Sequence, residues 1–338
     1  MAISVKMTSS TFTIGVDLGG TNLRIGAYSQ DSGLLDTIPL ATRLADGRDA
    51  VTADMCNAIR QLLGRYAPQR RLAGIAIGSP GPLELPEGVL RRPPNLPGWD
   101  GFPLRRTVEG ALGRPVLVQN DANVAAFAEC LLGRGKMLGV DSLCMFTLGT
   151  GVGGGIILRG KIWDGVTGMG GEVGHLNIWT EGGMPCGCGS QGCLEPHASA
   201  TGVRKMADAM IARGTAPGLE ALRAANPAFS AREVAELAAD GDTDAQAIYQ
   251  SVGRSLGIGL ASLVNTLNLP LYVLGGGVAK AWDIFSPALF EQLTQRSYIY
   301  RLTSGTTHVT PSVLGPDAGL LGACLLPFTT AISGSQSV

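Results

Sequence analysis

Apolar and polar positions alternate through TFTIGVDLGGTNLRIGAYS, pause at Gly19-Gly20 and resume, which predicts a strand, a glycine turn and a second strand returning antiparallel. Val51, Met55, Ile59, Leu62 and Leu63 fall on one stripe at helical spacing and predict an amphipathic helix over 49–66. The run from Leu72 to Ile77 reads as a buried strand ending in a Gly-Pro-rich loop, with Gly78 and Ser79 at its mouth. RRPPNLPGWDGFPL is too proline-rich for a helix or central strand, and its Asn95 and Trp99 suggest a binding loop. A helix-like segment reaches Leu112; PVLVQ then predicts a strand ending at Asn120-Asp121, with a helix starting around Asn123.

The first layout returns at Ser142, where SLCMFTLGTGVGGGIILRGKIW repeats strand, glycine turn and strand, so the two halves look duplicated. Amphipathic helices are expected over 198–213, 231–239 and 244–267, followed by a buried strand and a Gly275-Gly276-Gly277 turn that opens a helix. A last apolar helix is expected from Pro316, with Ala318, Gly319, Gly322 and Ala323 allowing close packing. Residues 1–11 and the ten from Thr329 are aperiodic and are expected to be frayed and without function.

Length changes this picture first, because 338 residues exceed what one hydrophobic core usually supports. Two α/β lobes are expected, a smaller one over 1–123 joined by the C-terminal helix 315–338, and a larger one over 124–314. With 26 basic against 27 acidic residues and no basic block, bulk charge attracts neither nucleic acid nor an anionic membrane. No apolar run reaches the roughly 18 residues of a membrane span, and MAISVKMTSS lacks the apolar segment of a secretion signal, so a cytoplasmic protein is expected. Seven cysteines, an odd number, suit a reducing compartment in which Cys56, Cys130, Cys144 and Cys324 are ordinary thiols.

The densest chemistry lies in GMGGEVGHLNIWTEGGMPCGCGSQGCLE, from Gly168 to Glu195. His175, Cys186, Cys188 and Cys193 together supply the four ligands of a closed tetrahedral zinc site, against the alternative of unrelated thiols in a glycine-rich loop. Glu172 and Glu195 flank these ligands, where a metal knuckle would hold their carboxylates in fixed directions. Near the amino terminus, the amides of Gly19 and Gly20, the Thr21 hydroxyl and Asp17 are suited to phosphates and their magnesium; a plain hairpin reads equally well. Asp121, likewise, is either a helix cap or a functional carboxylate. Bare backbone at Gly275–277 can approach a flat ring or a phosphate.

Taken together and in this order, DLGGTNLR, GSPGPLE, NLPGW, NDAN, LGTGVGGG, GEVGH, CGCGSQGCLE and LGGGV resemble the ROK family of sugar kinases over residues 15–325. The zinc signature, with ten residues between His175 and Cys186, is the most specific part. The resemblance implies a two-lobed, actin-like and hexokinase-like α/β fold of the ribonuclease-H type, with sugar and ATP meeting in an interlobe cleft, and a homodimer or larger homo-oligomer. It implies that Gly19, Gly20, Thr21, Asn22 and the loop Gly149, Thr150, Gly151, Gly153 and Gly154 hold phosphates, that Gly275, Gly276 and Gly277 contact adenosine, and that Asp17 places Mg2+. It implies sugar contacts from Asn95, Asn120, Asp121, Glu172, His175 and Glu195, with Gly78 nearby through its backbone. Two departures stand out: Asn22 replaces a frequent lysine, with Arg24 as a compensating cation, and Glu84 replaces a frequent aspartate.

The implied reaction is ATP-dependent phosphorylation of a hexose, glucose first, with an N-acetylhexosamine or fructose as alternatives. Asp121 would take the hydroxyl proton while loop amides and magnesium clamp the phosphates, since phosphoryl transfer depends mainly on positioning and electrostatics. Zinc would be structural. Some family members are sugar-responsive repressors with a helix-turn-helix before the first glycine turn; the sixteen residues ahead of Asp17 are too few for one.

Overall fold

Alternation around the first glycine turn builds β1 (Thr11–Leu18) and β2 (Asn22–Ser29) in a computed structural model that describes residues 11–333. The two strands pair antiparallel, Leu18 opposite Leu23, as the period-two pattern requires. β3 (Gly33–Ala41) adds to β2, and α1 (Gly47–Tyr66) leads to β4 (Arg71–Ser79), which lies parallel to β1. A short ribbon of β5 (Leu83–Glu84) and β6 (Val89–Leu90) and the helix α2 (Leu104–Leu112) precede β7 (Leu117–Asn120), which is parallel to β4. The sheet order is β3-β2-β1-β4-β7. α3 (Asp121–Leu131) follows β7 directly. It begins two residues before the expected Asn123, because the cap is Asn120.

The second half begins with α4 (Arg134–Leu138), then β8 (Leu143–Leu148), β9 (Val152–Leu158) and β10 (Lys161–Ile162). After the cysteine-rich segment come α5 (Glu195–Ala198), α6 (Ala200–Ala212), α7 (Pro217–Ala225), α8 (Ala231–Ala239) and α9 (Thr243–Leu267). β11 (Leu271–Gly275), α10 (Trp282–Arg296), α11 (Tyr298–Thr303) and β12 (His308–Pro311) complete a sheet of order β10-β9-β8-β11-β12. Here too an antiparallel pair around a glycine turn is extended by two parallel strands, so the expected duplication is present in the topology. The helix expected over 198–213 is split at Ser199, whose hydroxyl accepts Gly202 N–H at 3.0 Å as the cap of α6. α7 was missed, its pattern being too short to register.

The described residues form two compact units. The first comprises 11–129, 162–170 and 316–333; the second comprises 130–161 and 171–315. In the first, Phe12, Ile14, Val16 and Leu18 on one face of β1 share a core with Met55, Ile59 and Leu62 of α1. The opposite face meets α12 (Ala318–Ser333) so closely that a Cβ at Gly15 would lie 2.5 Å from Cys324 N, and on the helix's other side a Cβ at Gly322 would overlap the Val124 carbonyl oxygen of α3. Thr13 on that face donates to Cys324 O at 2.7 Å. The helix runs four residues past Thr329, further than the aperiodic tail suggested, and the rest of the tail, with residues 1–10, lies outside the described residues. In the second unit, Leu256, Leu260 and Val264 of α9 pack with Phe285, Leu289 and Leu293 of α10. No helix among the described residues is long and apolar enough to cross a membrane.

Candidate active site

Three parallel strands end side by side in the first unit. Asp17, Gly78 and Gln119 occupy one row across β1, β4 and β7, and Ser79 pairs with Asn120 in the next. Neighbouring strands lie about 4.8 Å apart, and the carboxyl ends of such strands are where open α/β sheets bind ligands. The glycine turn after β1 is closed by Gly19 N–H donating to Asn22 O at 2.8 Å. Thr42 braces it, its N–H donating to Thr21 O at 2.8 Å and its hydroxyl to Gly19 O at 2.7 Å.

The proline-rich loop closes on this turn. A Cβ at Gly20 would lie 2.8 Å from Asn95 O, so only bare backbone admits the approach. Trp99 anchors the loop rather than facing a ligand: it is buried, edge-on to Phe102 with ring centroids 5.1 Å apart, while Asn95 stays exposed. Asp17, Gly19, Gly20, Thr21, Asn22 and Arg24, with Pro39, Leu40 and Pro316, line a groove of about 470 Å³. Arg24 donates to Asp17 Oδ2 at 2.8 Å and to Asp317 Oδ1 at 2.9 Å, so the cation expected to compensate for Asn22 is held between two carboxylates. Both Arg24 bonds to Asp17 fall on Oδ2. Glu84 pairs with Arg91 across the β5–β6 ribbon.

Asn120, not Asp121, caps α3. Its Oδ1 accepts the N–H groups of Ala122 at 2.9 Å and Asn123 at 3.2 Å, and its Nδ2 donates to Gly81 O at 3.2 Å. Asp121 is therefore the first helical residue, with its Oδ1 2.8 Å from Ala122 N. The start of the helix is fastened from behind: Gln119 Oε1 accepts Asn120 N–H at 2.7 Å and Asn123 Nδ2 at 3.2 Å.

In the second unit the turn is shorter than expected, Gly149–Gly151, because Gly153 and Gly154 lie in β9 opposite Thr147 and Phe146 and are fixed by strand pairing. The turn and the start of β9 are tied to the cysteine-rich segment. Glu195 Oε2 accepts Val152 N–H at 2.9 Å, Thr201 donates to Thr150 O at 2.7 Å, and Ala200 N–H donates to Gly149 O at 2.9 Å. The Gly275–277 turn abuts the same region: Gly276 has φ +90°, and a Cβ there would lie 2.5 Å from Leu148 O at the end of β8.

His175, Cys186, Cys188 and Cys193 place one ligand atom each within 4.8 Å of one another. Cys186 Sγ lies 3.6 Å from His175 Nδ1, and Cys188 Sγ lies 3.8 Å from Cys193 Sγ. A tetrahedral zinc with Zn–S bonds of ~2.3 Å and a Zn–N bond of ~2.0 Å has ligand–ligand edges of about 3.5–3.8 Å, so the cluster fits that ion. Cys188 is drawn down to about 7, chiefly by the Ser190 backbone N–H, while burial pushes Cys193 up to about 12 and raises Cys186 as well. A bound cation would displace the remaining thiol protons. The Glu172 carboxyl is raised above its ordinary value, first by the protein crowded around it; His175 opposes the rise and Glu195 adds to it. Its outer surface nonetheless remains open to solvent.

Glycine turns in two duplicated α/β sheets and a cluster of one histidine and three cysteines define the class of protein. The chain belongs to the ROK family, whose model matches residues 13–329. It is 35% identical to a glucokinase of Halalkalibacterium halodurans, over 93% of this chain and 94% of that one. Its fold is similar to a ROK hexokinase from Thermus thermophilus, with a TM-score of 0.78 and 35% identity, covering 96% of this chain and 100% of that one. It is also similar to a ROK family glucokinase from Streptomyces griseus in complex with glucose and AMPPNP, with a TM-score of 0.75 and 30% identity over 93% of this chain and 98% of that one.

Sequence reasoning passed over Gln119, Asp164, Asp317 and Thr42. Only Asp317 carried a local signal, an acidic residue just ahead of a helix.

Proposed function

We propose that this protein is an ATP-dependent hexose kinase that acts first on glucose, forming glucose 6-phosphate and ADP. The observation that carries the reading is the pair of glycine turns at equivalent places in two duplicated sheets, Gly19-Gly20-Thr21 after β1 and Gly149-Thr150-Gly151 after β8. Backbone amides in such turns suit a polyphosphate, and the relatives named glucokinase favour a hexose as acceptor.

In this reading Asn95, Asn120, Glu172, His175 and Glu195, with the Gly78 backbone, hold the sugar hydroxyls. Asp121 takes the proton of the attacking hydroxyl, whose oxygen bonds to the γ-phosphorus as the bond to ADP breaks. Gly275–277 lies against adenosine, and the two glycine turns, with Asn22 in the first, receive the phosphates. Asp17 is suited to magnesium, a hard cation that prefers oxygen donors, because neither Arg24 bond falls on its Oδ1. Magnesium supplies charge neutralisation on the phosphates. Zinc at the knuckle is structural, since four protein ligands close its shell. The enzyme acts in the cytoplasm as a homodimer or larger homo-oligomer.

A screen of sugar-dependent ADP release over glucose, mannose, fructose, allose and the N-acetylhexosamines tests this. Glucose is expected to give the highest kcat/KM. If no sugar stimulates ATP turnover, the kinase reading is wrong.

A further inference from the structure

The chain leaves β10 and returns to the cysteine-rich segment through residues 162–170, which belong to the first unit. This strap is folded on itself by Gly170 N–H donating to Asp164 O at 2.8 Å, and Leu85 N–H reaches Thr167 O at 3.3 Å. Its one carboxylate, on Asp164, accepts Gln119 Nε2 at 2.8 Å. Gln119 is 7% exposed, so water is a poor substitute for that partner.

An ionised carboxylate only accepts hydrogen bonds, so the Gln119 amide must turn its NH2 toward Asp164 and its oxygen away. The oxygen then meets two donors, Asn120 N–H at 2.7 Å and Asn123 Nδ2 at 3.2 Å. Those residues flank Asp121 on either side in the first turn of α3. Asn123 is 1% exposed, its Oδ1 has no hydrogen-bond partner, and its amide is thus held from the Nδ2 side. A turned Gln119 amide would set donor against donor at Asn120 and oxygen against oxygen at Asp164. Burial raises the Asp164 carboxyl above its ordinary value, and the Gln119 hydrogen bond opposes that rise by favouring the ionised acceptor.

We propose that Asp164 is a positioning residue for Asp121, acting through Gln119 to fix the first turn of α3. The proposal rests on the reading of Asp121 as general base. Asp164 never touches substrate; it sets the direction from which the base meets the hydroxyl, and small misplacements of a reacting group cost up to about 10²-fold in rate.

Steady-state kinetics of Asp164→Ala and Asp164→Asn, each alone and combined with Asp121→Asn, test this alongside amide hydrogen exchange at residues 120–124. Asp164→Ala should lower kcat about tenfold with sugar KM within about twofold. Asp164→Asn retains an acceptor and should stay within about threefold of wild type. In the Asp121→Asn background the loss of Asp164 should cost less than about twofold, because the base it orients is already gone. Exchange at 120–124 should quicken in Asp164→Ala and not in Asp164→Asn. Equal losses in both backgrounds, or unchanged exchange in Asp164→Ala, would overturn the proposal. A wild type that phosphorylates no sugar defeats the kinase reading instead, and the exchange result then decides alone whether Asp164 holds this turn.

Discussion

Glu195 accepts the backbone N–H of Val152 at 2.9 Å, so a residue at the end of the cysteine-rich segment holds the second glycine turn by a charge-assisted bond. Gly151, one residue earlier, is so near the same carboxylate that a Cβ there would overlap Oε2. Removing the carboxylate with Glu195→Ala should raise the sugar KM about tenfold or more, given the cost of a lost charged hydrogen bond. Gly151→Ala should push in the same direction by displacing Glu195. Wild-type kinetics in Gly151→Ala would show that this contact has no part in binding.

The division of labour between Asn120 and Asp121 separates a stability effect from a rate effect. Asp121→Asn should lower kcat about 10²-fold or more, the usual contribution of a general base, with the melting transition close to wild type. Asn120→Ala removes the cap and should lower stability by about 1 kcal/mol, read by denaturant titration. Near-normal turnover in a folded Asp121→Asn would remove that residue from the chemistry.

Elemental analysis should find stoichiometric zinc in the purified protein and little in Cys188→Ser, which loses one of the four ligands. With a metal on His175 Nδ1, the nitrogen that lies 3.6 Å from Cys186 Sγ, Nε2 would be left as an N–H donor. Calorimetric titrations of the variant should show glucose affinity falling far more than ATP affinity. An unchanged glucose affinity without zinc would separate the knuckle from sugar binding.

Asp164 also makes a pH-dependent prediction. Its folded pKa is raised, chiefly by burial, with the Gln119 hydrogen bond opposing, so the native state holds this proton more tightly than the unfolded chain does. The stability from that proton is fully present below the unfolded carboxyl pKa and is lost as pH rises through the folded one. Asp164→Asn, which never ionises, should therefore melt above wild type at neutral pH, and the gap should close on acidification toward pH about 4. A gap that widens on acidification would reverse the sign.

Much was legible because it is local. Alternation on either side of Gly19-Gly20, and again around the 149–151 turn, sets strand, turn and antiparallel return within a few residues of one another, so the duplicated plan could be read directly. The cysteine cluster was legible for a similar reason: ligands at 186, 188 and 193 in a glycine-rich run need little chain to converge, and a bridge between Asn177 and Cys193 brings His175 alongside. The short helix Pro217–Ala225 and the break at Ser199 escaped because neither disturbs the average periodicity of its neighbourhood.

By itself, then, the sequence determined what depends on neighbouring residues: the two glycine turns, the cluster of one histidine and three cysteines, and an amide and a carboxylate side by side at the start of α3. Tertiary structure decided which partners those groups take. Asn120 rather than Asp121 became the cap, Trp99 went into the core, Arg24 was claimed by Asp17 and by Asp317, and Gln119 found Asp164. Hydrogen bonds and ion pairs of this kind act over about 3 Å in space, whereas Arg24 and Asp317 stand 293 residues apart along the chain. Nothing local records such a meeting; it exists only once the parallel strands and the C-terminal helix have brought their ends together.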